Sequence, residues 1–210
     1  MSDLDNQLKQ CGKPSSEEGK ELADKMNEYH YPLTSWGLEI VQISNSDTIL
    51  DIGCGGGRTM SMLAEKVPDG KVSGIDHSPD CVTWSAEYNQ TLVKEGRVEV
   101  FHASVEKMPF QDNYFNLVVA VETIYFWPNI LDSFKEVHRI LKPGGKFLIV
   151  NEMYLSKAFR EKNEEHMATE RMTIYSPEQL EQLLKDAGFT DVSIDLVESK
   201  NWLRCLASAI

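Results

Sequence analysis

Residues 49–59, "ILDIGCGGGRT", decide how this chain folds. Ile49, Leu50 and Ile52 lead straight into four glycines, the pattern of a buried strand that ends in a glycine turn. Glycine tolerates positive φ and lets a ligand approach the backbone closely. In an open α/β sheet, ligands bind beyond the carboxyl ends of the strands, so the tip of this strand is the first place to look for one.

The spacing argues against the commonest ligands of such turns. Counted from Gly53, a G-x-G-x-x-G fingerprint finds Gly55 and then Arg58 where its third glycine belongs. Counting from Gly55 fares no better, and no Gly-Lys-Ser/Thr follows, so a P-loop fails as well. Asp51 adds an electrostatic objection: a carboxylate at the strand tip repels a pyrophosphate in a partly buried site. The same carboxylate favours a ligand that carries an ammonium and a sulfonium. A second acid, Asp76, closes "KVSGID". In this architecture, an acid roughly 20 positions past the glycines grips ribose hydroxyls. A nucleoside with positive charge in place of phosphates fits both acids, and S-adenosylmethionine answers that description.

Outward from this turn, strands and helices alternate. "TILDIG", "KVSGID", "RVEVFHA", "FNLVVAVE" and "KFLIVN" read as strands. Helices are expected over 59–66, from the Ser78 N-cap and Pro79 to about Val93, and over 129–141, where "KPGG" stops the helix. Ser176, Pro177 and Gln179 open another helix that Gly188 ends, and "TDVSIDLVE" and "NWLRCLAS" close the chain as strands. This alternation predicts an α/β fold with a doubly wound, mostly parallel sheet. Residues 1–20 are expected as a mobile tail or loose helix, and 21–45 as two helical pieces broken at Pro32. The expected organisation is a tail and helical lid over 1–45, then a cofactor-binding domain over 46–210. A charged helical insertion lies near 152–175.

The 210 residues are 41% hydrophobic, enough for a core, and carry a formal net charge of −12, which speaks against nucleic acid or an anionic membrane as partner. Cys11, Cys54, Cys81 and Cys205 lie far apart and form no metal-binding pattern, so no metal is expected. No apolar signal segment and no membrane span is seen, and the expected location is cytoplasmic.

"ILDIGCGGG", "GIDHS", "MPFQDNYFN" and "ILKPGG" resemble, in this order, the motifs of class I S-adenosylmethionine-dependent methyltransferases. The resemblance is closest to the small-molecule type related to ubiquinone/menaquinone C-methyltransferases, and it is strong over residues 45–151. It implies a Rossmann-like sheet of seven strands, the last antiparallel, with N-terminal helices covering the cofactor. It also implies roles. Asp51, Gly53, Cys54 and Gly55 line the methionine and ribose end of the cofactor. Asp76 holds the ribose with His77 beside the adenine, Ser104 and Val105 meet the adenine edge, and Val121 or Glu122 closes the pocket. Two positions depart from the family pattern: Ser104 stands where an Asp is common, and Asn116 where a turn-supporting Asp is usual.

The methyl acceptor is a small molecule expected beyond the fourth strand. Tyr125 and Trp127 from "ETIYFWPN", with Tyr29 and Trp36 from the N-terminal lobe, are the candidate acceptor pocket, and Phe126 is expected in the core. His30, Glu122 and Glu152 are the candidate catalytic residues if the acceptor must lose a proton. The expected reaction is in-line transfer of a methyl group from S-adenosylmethionine, leaving S-adenosylhomocysteine. Two other functions use the same fold: a non-catalytic cofactor-binding or partner protein, and a nucleotide-dependent oxidoreductase, which the glycine spacing and Asp51 oppose. No motif encodes the acceptor's identity or the oligomeric state.

Overall fold

The computed structural model describes residues 3–210. Its centre is a seven-stranded sheet of β1 (Thr48–Ile52), β2 (Lys71–Asp76), β3 (Val98–His102), β4 (Phe115–Val121), β5 (Leu141–Asn151), β6 (Thr190–Val197) and β7 (Trp202–Ser208). The spatial order is β3-β2-β1-β4-β5-β7-β6. The first five strands pair in parallel, and β7 runs antiparallel to both β5 and β6. The order reverses between β1 and β4. Chain leaving these neighbours turns away in opposite directions, which opens a crevice at their carboxyl ends.

Helices cover both faces. Before β1 come α1 (Asp3–Gly12), α2 (Ser16–Tyr29) and α3 (Tyr31–Leu38). The strands are linked by α4 (Arg58–Lys66), α5 (Pro79–Tyr88), α6 (Gln90–Lys94), α7 (Ile130–Ile140), α8 (Arg160–Met167) and α9 (Pro177–Asp186). On one face, Leu33 and Leu38 of α3 and Met60 and Leu63 of α4 pack against Ile49, Leu117 and Leu148. On the other, Phe134 and Val137 of α7 and Leu180 and Leu184 of α9 cover Leu50, Phe115 and Phe147. Each such side chain, fully buried, contributes about 1.5–3 kcal/mol. The middle strands are apolar on both faces because both faces are covered.

Several local expectations change. Most of residues 1–20 form α1 and the start of α2, which are held down: Leu8 is buried with Tyr125, Met153 and Ile174, and Asp5 pairs with Arg171. Pro32 opens α3 near its first position, where its missing N–H costs nothing, and the break falls at His30. The helix after Ser78 divides at Asn89, whose side-chain Nδ2 donates to Gly57 O at 2.9 Å. Strand β5 starts at Leu141, opposite Phe115, so "KPGG" lies inside an irregular strand. Within 152–175, only α8 is helical. Asn116 supports no turn; its Oδ1 accepts from Thr48 N at 3.0 Å and Lys142 Nζ at 2.8 Å, tying three strands together.

Candidate active site

A cavity of about 280 Å³ opens at the carboxyl ends of β1, β2 and β4 and is roofed by α1 and α2. The glycine turn forms its floor. Gly53 N and Cys54 N both donate to Ile75 O, at 2.8 and 3.1 Å, which draws the turn against β2. Gly53 has φ +75°, and a Cβ there would come within 2.4 Å of Thr123 Cγ2. Gly55, at φ +49°, would meet only Gly53 O at 3.9 Å, so the space in front of it stays open.

Both strand-tip acids stand at this turn. Asp51 is 1% exposed, and among the described residues its Oδ2 has no hydrogen-bond partner. Burial, with Asp76 adding repulsion, pushes its carboxyl up to about 8. Asp76 accepts from Gly55 N at 3.0 Å through Oδ2 and from Ser78 N at 2.8 Å through Oδ1. Burial raises its pKa, and these amides together with His77 pull the other way. An unpartnered buried carboxylate beside an open glycine turn is the environment a cation completes.

Cys54, His77, Ser104, Val105 and Val121 also line the cavity. Cys54 is buried and its thiol is held well above its usual range by burial and both acids, which argues against a nucleophile. His77 Nδ1 lies 3.7 Å from Asp76 Oδ1. The Ser104 hydroxyl donates to Glu106 Oε2 at 3.3 Å.

His30, Glu122 and Glu152, drawn from the α2–α3 junction and the ends of β4 and β5, come together. One potential ligand atom from each lies within 4.8 Å of the others, and His30 Nε2 is 4.0 Å from Glu152 Oε1. Glu122 Oε1 accepts from Tyr125 OH at 3.0 Å and from the Glu152 backbone N–H. Glu122 adopts φ +60°, a left-handed conformation uncommon outside glycine. Burial first, then Glu152, pushes Glu122 up to about 8; burial lowers His30 to about 4. His30 and Glu122 face the first cavity. Glu152 and Tyr29 line a second one of about 310 Å³, together with Phe159, Lys162 and Trp202.

The aromatic residues divide differently from expectation. Tyr125 does not line the first cavity: it is 3% exposed, and its hydroxyl accepts from Met153 N at 3.0 Å. Phe126, expected in the core, packs against the cluster of Leu8, Tyr125 and Met153 and also lines the cavity, from the end of the 3-10 turn Ile124–Phe126. Trp127 lines it as well and stacks on Phe147. Trp36 lines neither cavity; it packs on Trp202 with the Arg204 guanidinium 4.5 Å from its ring. Tyr29 is 68% exposed and borders only the second cavity.

Three residues that sequence reasoning missed also line the cavity: Cys11, Asn27 and Arg58. Asn27 Nδ2 donates to Gly56 O at 3.2 Å, which ties the roof to the glycine turn. Arg58 pairs with Glu28 and lies 4.5 Å from the Tyr31 ring centre. The one available signal was Arg58 itself, standing where a dinucleotide fingerprint has glycine. Among the described residues, the rings of His102 and His166 bond to backbone carbonyls, of His77 and Lys162. No helix among the described residues is long and apolar enough to cross a membrane.

Residues 50–149 match the family described as "Methyltransferase domain". The chain is 30% identical over 156 residues to a Caenorhabditis elegans sterol 4-C-methyltransferase, strm-1, covering 74% of this chain and 45% of that protein. It is 29% identical over 118 residues to a demethylmenaquinone methyltransferase of Listeria welshimeri, covering 54% of this chain and 48% of that one. It thus spans about half the length of these relatives. Among solved structures, a SAM dependent methyltransferase from Aquifex aeolicus shares the fold, with a TM-score of 0.75, 22% identity and coverage of 91% of this chain and 98% of that one. Over residues 50–149, on a sheet that places an antiparallel β7 between β5 and β6, the chain carries a methyltransferase domain of the class I S-adenosylmethionine-dependent fold.

Proposed function

We propose that the chain transfers a methyl group from S-adenosylmethionine to a small-molecule acceptor at the tips of β4 and β5. The observation that carries this reading is Asp51: a buried carboxylate with an unpartnered oxygen, facing an open glycine turn. It suits the ammonium of the methionine group and opposes a pyrophosphate. Asp76 suits the ribose hydroxyls. Arg58, at the same cavity, suits the methionine carboxylate. Ser104 and Val105 border the adenine end.

When bound, S-adenosylmethionine supplies an electrophilic methyl on a sulfonium. The leaving group is a neutral thioether, so the chain has no departing anion to stabilise. Its residues have to align the acceptor and exclude water, and alignment of two bound reactants is worth about 7–11 kcal/mol. Phe126, Trp127 and the α1–α2 roof exclude water. His30, Glu122 and Glu152 can hold or move an acceptor proton. Four free cysteines support a reducing, cytoplasmic setting.

Calorimetric titration with S-adenosylhomocysteine tests the reading. Saturable one-to-one binding that is lost in Asp76→Ala supports it; unchanged affinity in that variant contradicts the assigned pocket.

A further inference from the structure

Three polar groups at the acceptor end remain without a substrate. His30, Glu122 and Glu152 come from three separate elements, and their ligand atoms all lie within 4.8 Å of one another. They stand at the partition between the two cavities: His30 and Glu122 face the first, Glu152 the second. Among the described residues, neither carboxylate has a Lys or Arg within ion-pair distance, although Glu152 has His30 at 4.0 Å. Lys162 acts on both from farther away, His166 and Tyr29 act on Glu152, and the Tyr125 hydroxyl donates to Glu122 Oε1 at 3.0 Å. Burial keeps His30 neutral above about 4, so its ring nitrogen can accept.

Spacing separates the two cations such a set could hold. Three acceptors around a tetrahedral ammonium, at hydrogen bonds of about 2.8 Å, stand about 4.6 Å apart. Adjacent ligands of an octahedral metal ion, with bonds of about 2.1 Å, stand about 3.0 Å apart. The 4.0 Å between His30 Nε2 and Glu152 Oε1 is nearer the wider spacing. Glu122 Oε1 already accepts two hydrogen bonds, which leaves that carboxylate one oxygen for a ligand.

We infer that the acceptor atom is an amine nitrogen, held by His30, Glu122 and Glu152 at the junction of the two cavities. This rests on the methyltransferase reading above and extends it to a substrate class. The amine enters as an ammonium. One proton passes to the Glu122–Glu152 pair, which frees the nitrogen lone pair. That pair forms the N–C bond as the methyl–sulfur bond breaks, and the breaking bond's electrons stay on sulfur. The product is a methylammonium, the neutral thioether S-adenosylhomocysteine, and a proton on the carboxylate pair that returns to solvent. Phe126 and Trp127 offer aromatic faces to the cationic nitrogen before and after transfer.

The test uses the full chain, saturated with S-adenosylhomocysteine, in calorimetric titrations with benzylamine and with its neutral isostere benzyl alcohol. The expected result is benzylamine binding at least about tenfold tighter. Glu152→Gln, at a residue that lines only the second cavity, should erase that preference and leave S-adenosylhomocysteine affinity within about twofold; Glu122→Gln should erase the preference as well and serves for that readout if the first variant does not fold. Equal affinity for the two probes overturns the inference. So does tight Mn²⁺ binding that excludes benzylamine and is lost in both variants, which would mark a metal site. Failure to bind S-adenosylhomocysteine at all overturns the cofactor reading instead, so the two failures are distinguishable.

Discussion

Gly55 N donates to Asp76 Oδ2 at 3.0 Å across 21 positions of the chain. This bond joins the glycine turn at the end of β1 to the acid at the end of β2. The other oxygen of Asp76 takes Ser78 N, which aligns the start of α5. One carboxylate therefore shapes the turn and presents its remaining acceptor capacity to the cavity.

Asp51 sets a conflict between stability and binding. Its pKa is raised in the folded chain, so the folded state binds the extra proton. Its contribution is full below the unfolded value near 3.8 and is lost as pH rises through about 8. Asp51→Asn removes the buried charge. At pH 8 the ligand-free variant should melt about 2–4 °C higher, the shift about 1 kcal/mol gives in a chain of this size, and should bind S-adenosylhomocysteine more weakly. Differential scanning fluorimetry and calorimetry check both halves.

The same group makes binding pH-dependent. Below about 8, the Asp51 carboxyl must lose a proton to pair with an ammonium. S-adenosylhomocysteine affinity should rise with pH, by up to about tenfold per unit, and flatten above that value. Titrations in buffers of different ionisation enthalpy should show proton release at pH 7. Affinity that falls between pH 6 and 8 would contradict this account of Asp51.

Tyr125 holds the Glu122 carboxylate from within the core. Its hydroxyl donates to Glu122 Oε1 and accepts from Met153 N, each at 3.0 Å. Tyr125→Phe leaves a buried N–H unpaired and should cost about 1–3 kcal/mol in urea denaturation. Methyl transfer should slow while S-adenosylhomocysteine affinity holds.

Arg139 clamps the loop that follows β3. Its guanidinium makes two 2.7 Å bonds to the Glu136 carboxylate and reaches Phe110 O at 2.9 Å, while Glu136 Oε1 accepts from Met108 N at 2.8 Å. A lysine cannot reproduce this fork. Arg139→Lys should cost about 1 kcal/mol of stability and weaken S-adenosylhomocysteine binding without abolishing it.

The sheet was legible because its middle strands are apolar runs bounded by glycine turns and helix caps. Asp51 and Asp76 were legible because strand tips at a switch point have few alternative uses. The N-terminal helices were not. Their sequence is polar, and what holds them are distant partners: Tyr125 against Leu8, Arg171 against Asp5. Which of Tyr125 and Phe126 reaches the cavity is set in a single 3-10 turn, whose phase no periodicity over three residues can reveal. Trp36 looked suited to an acceptor, but α3 turns it toward Trp202 and Arg204 on β7, the last strand in the sequence. His30 joined the two glutamates only through the break between α2 and α3, two positions earlier than the expected break that Pro32 suggested.

On the methyltransferase reading, this cavity receives a cationic adenosyl cofactor and rejects a pyrophosphate. Parallel calorimetric titrations of the full chain with S-adenosylhomocysteine and with NAD test it most directly. The account predicts saturable binding of the first, weakened about 100-fold or more in Asp76→Ala by loss of two charge-assisted hydrogen bonds, and none of the second. Saturable NAD binding, with S-adenosylhomocysteine inert, would contradict it.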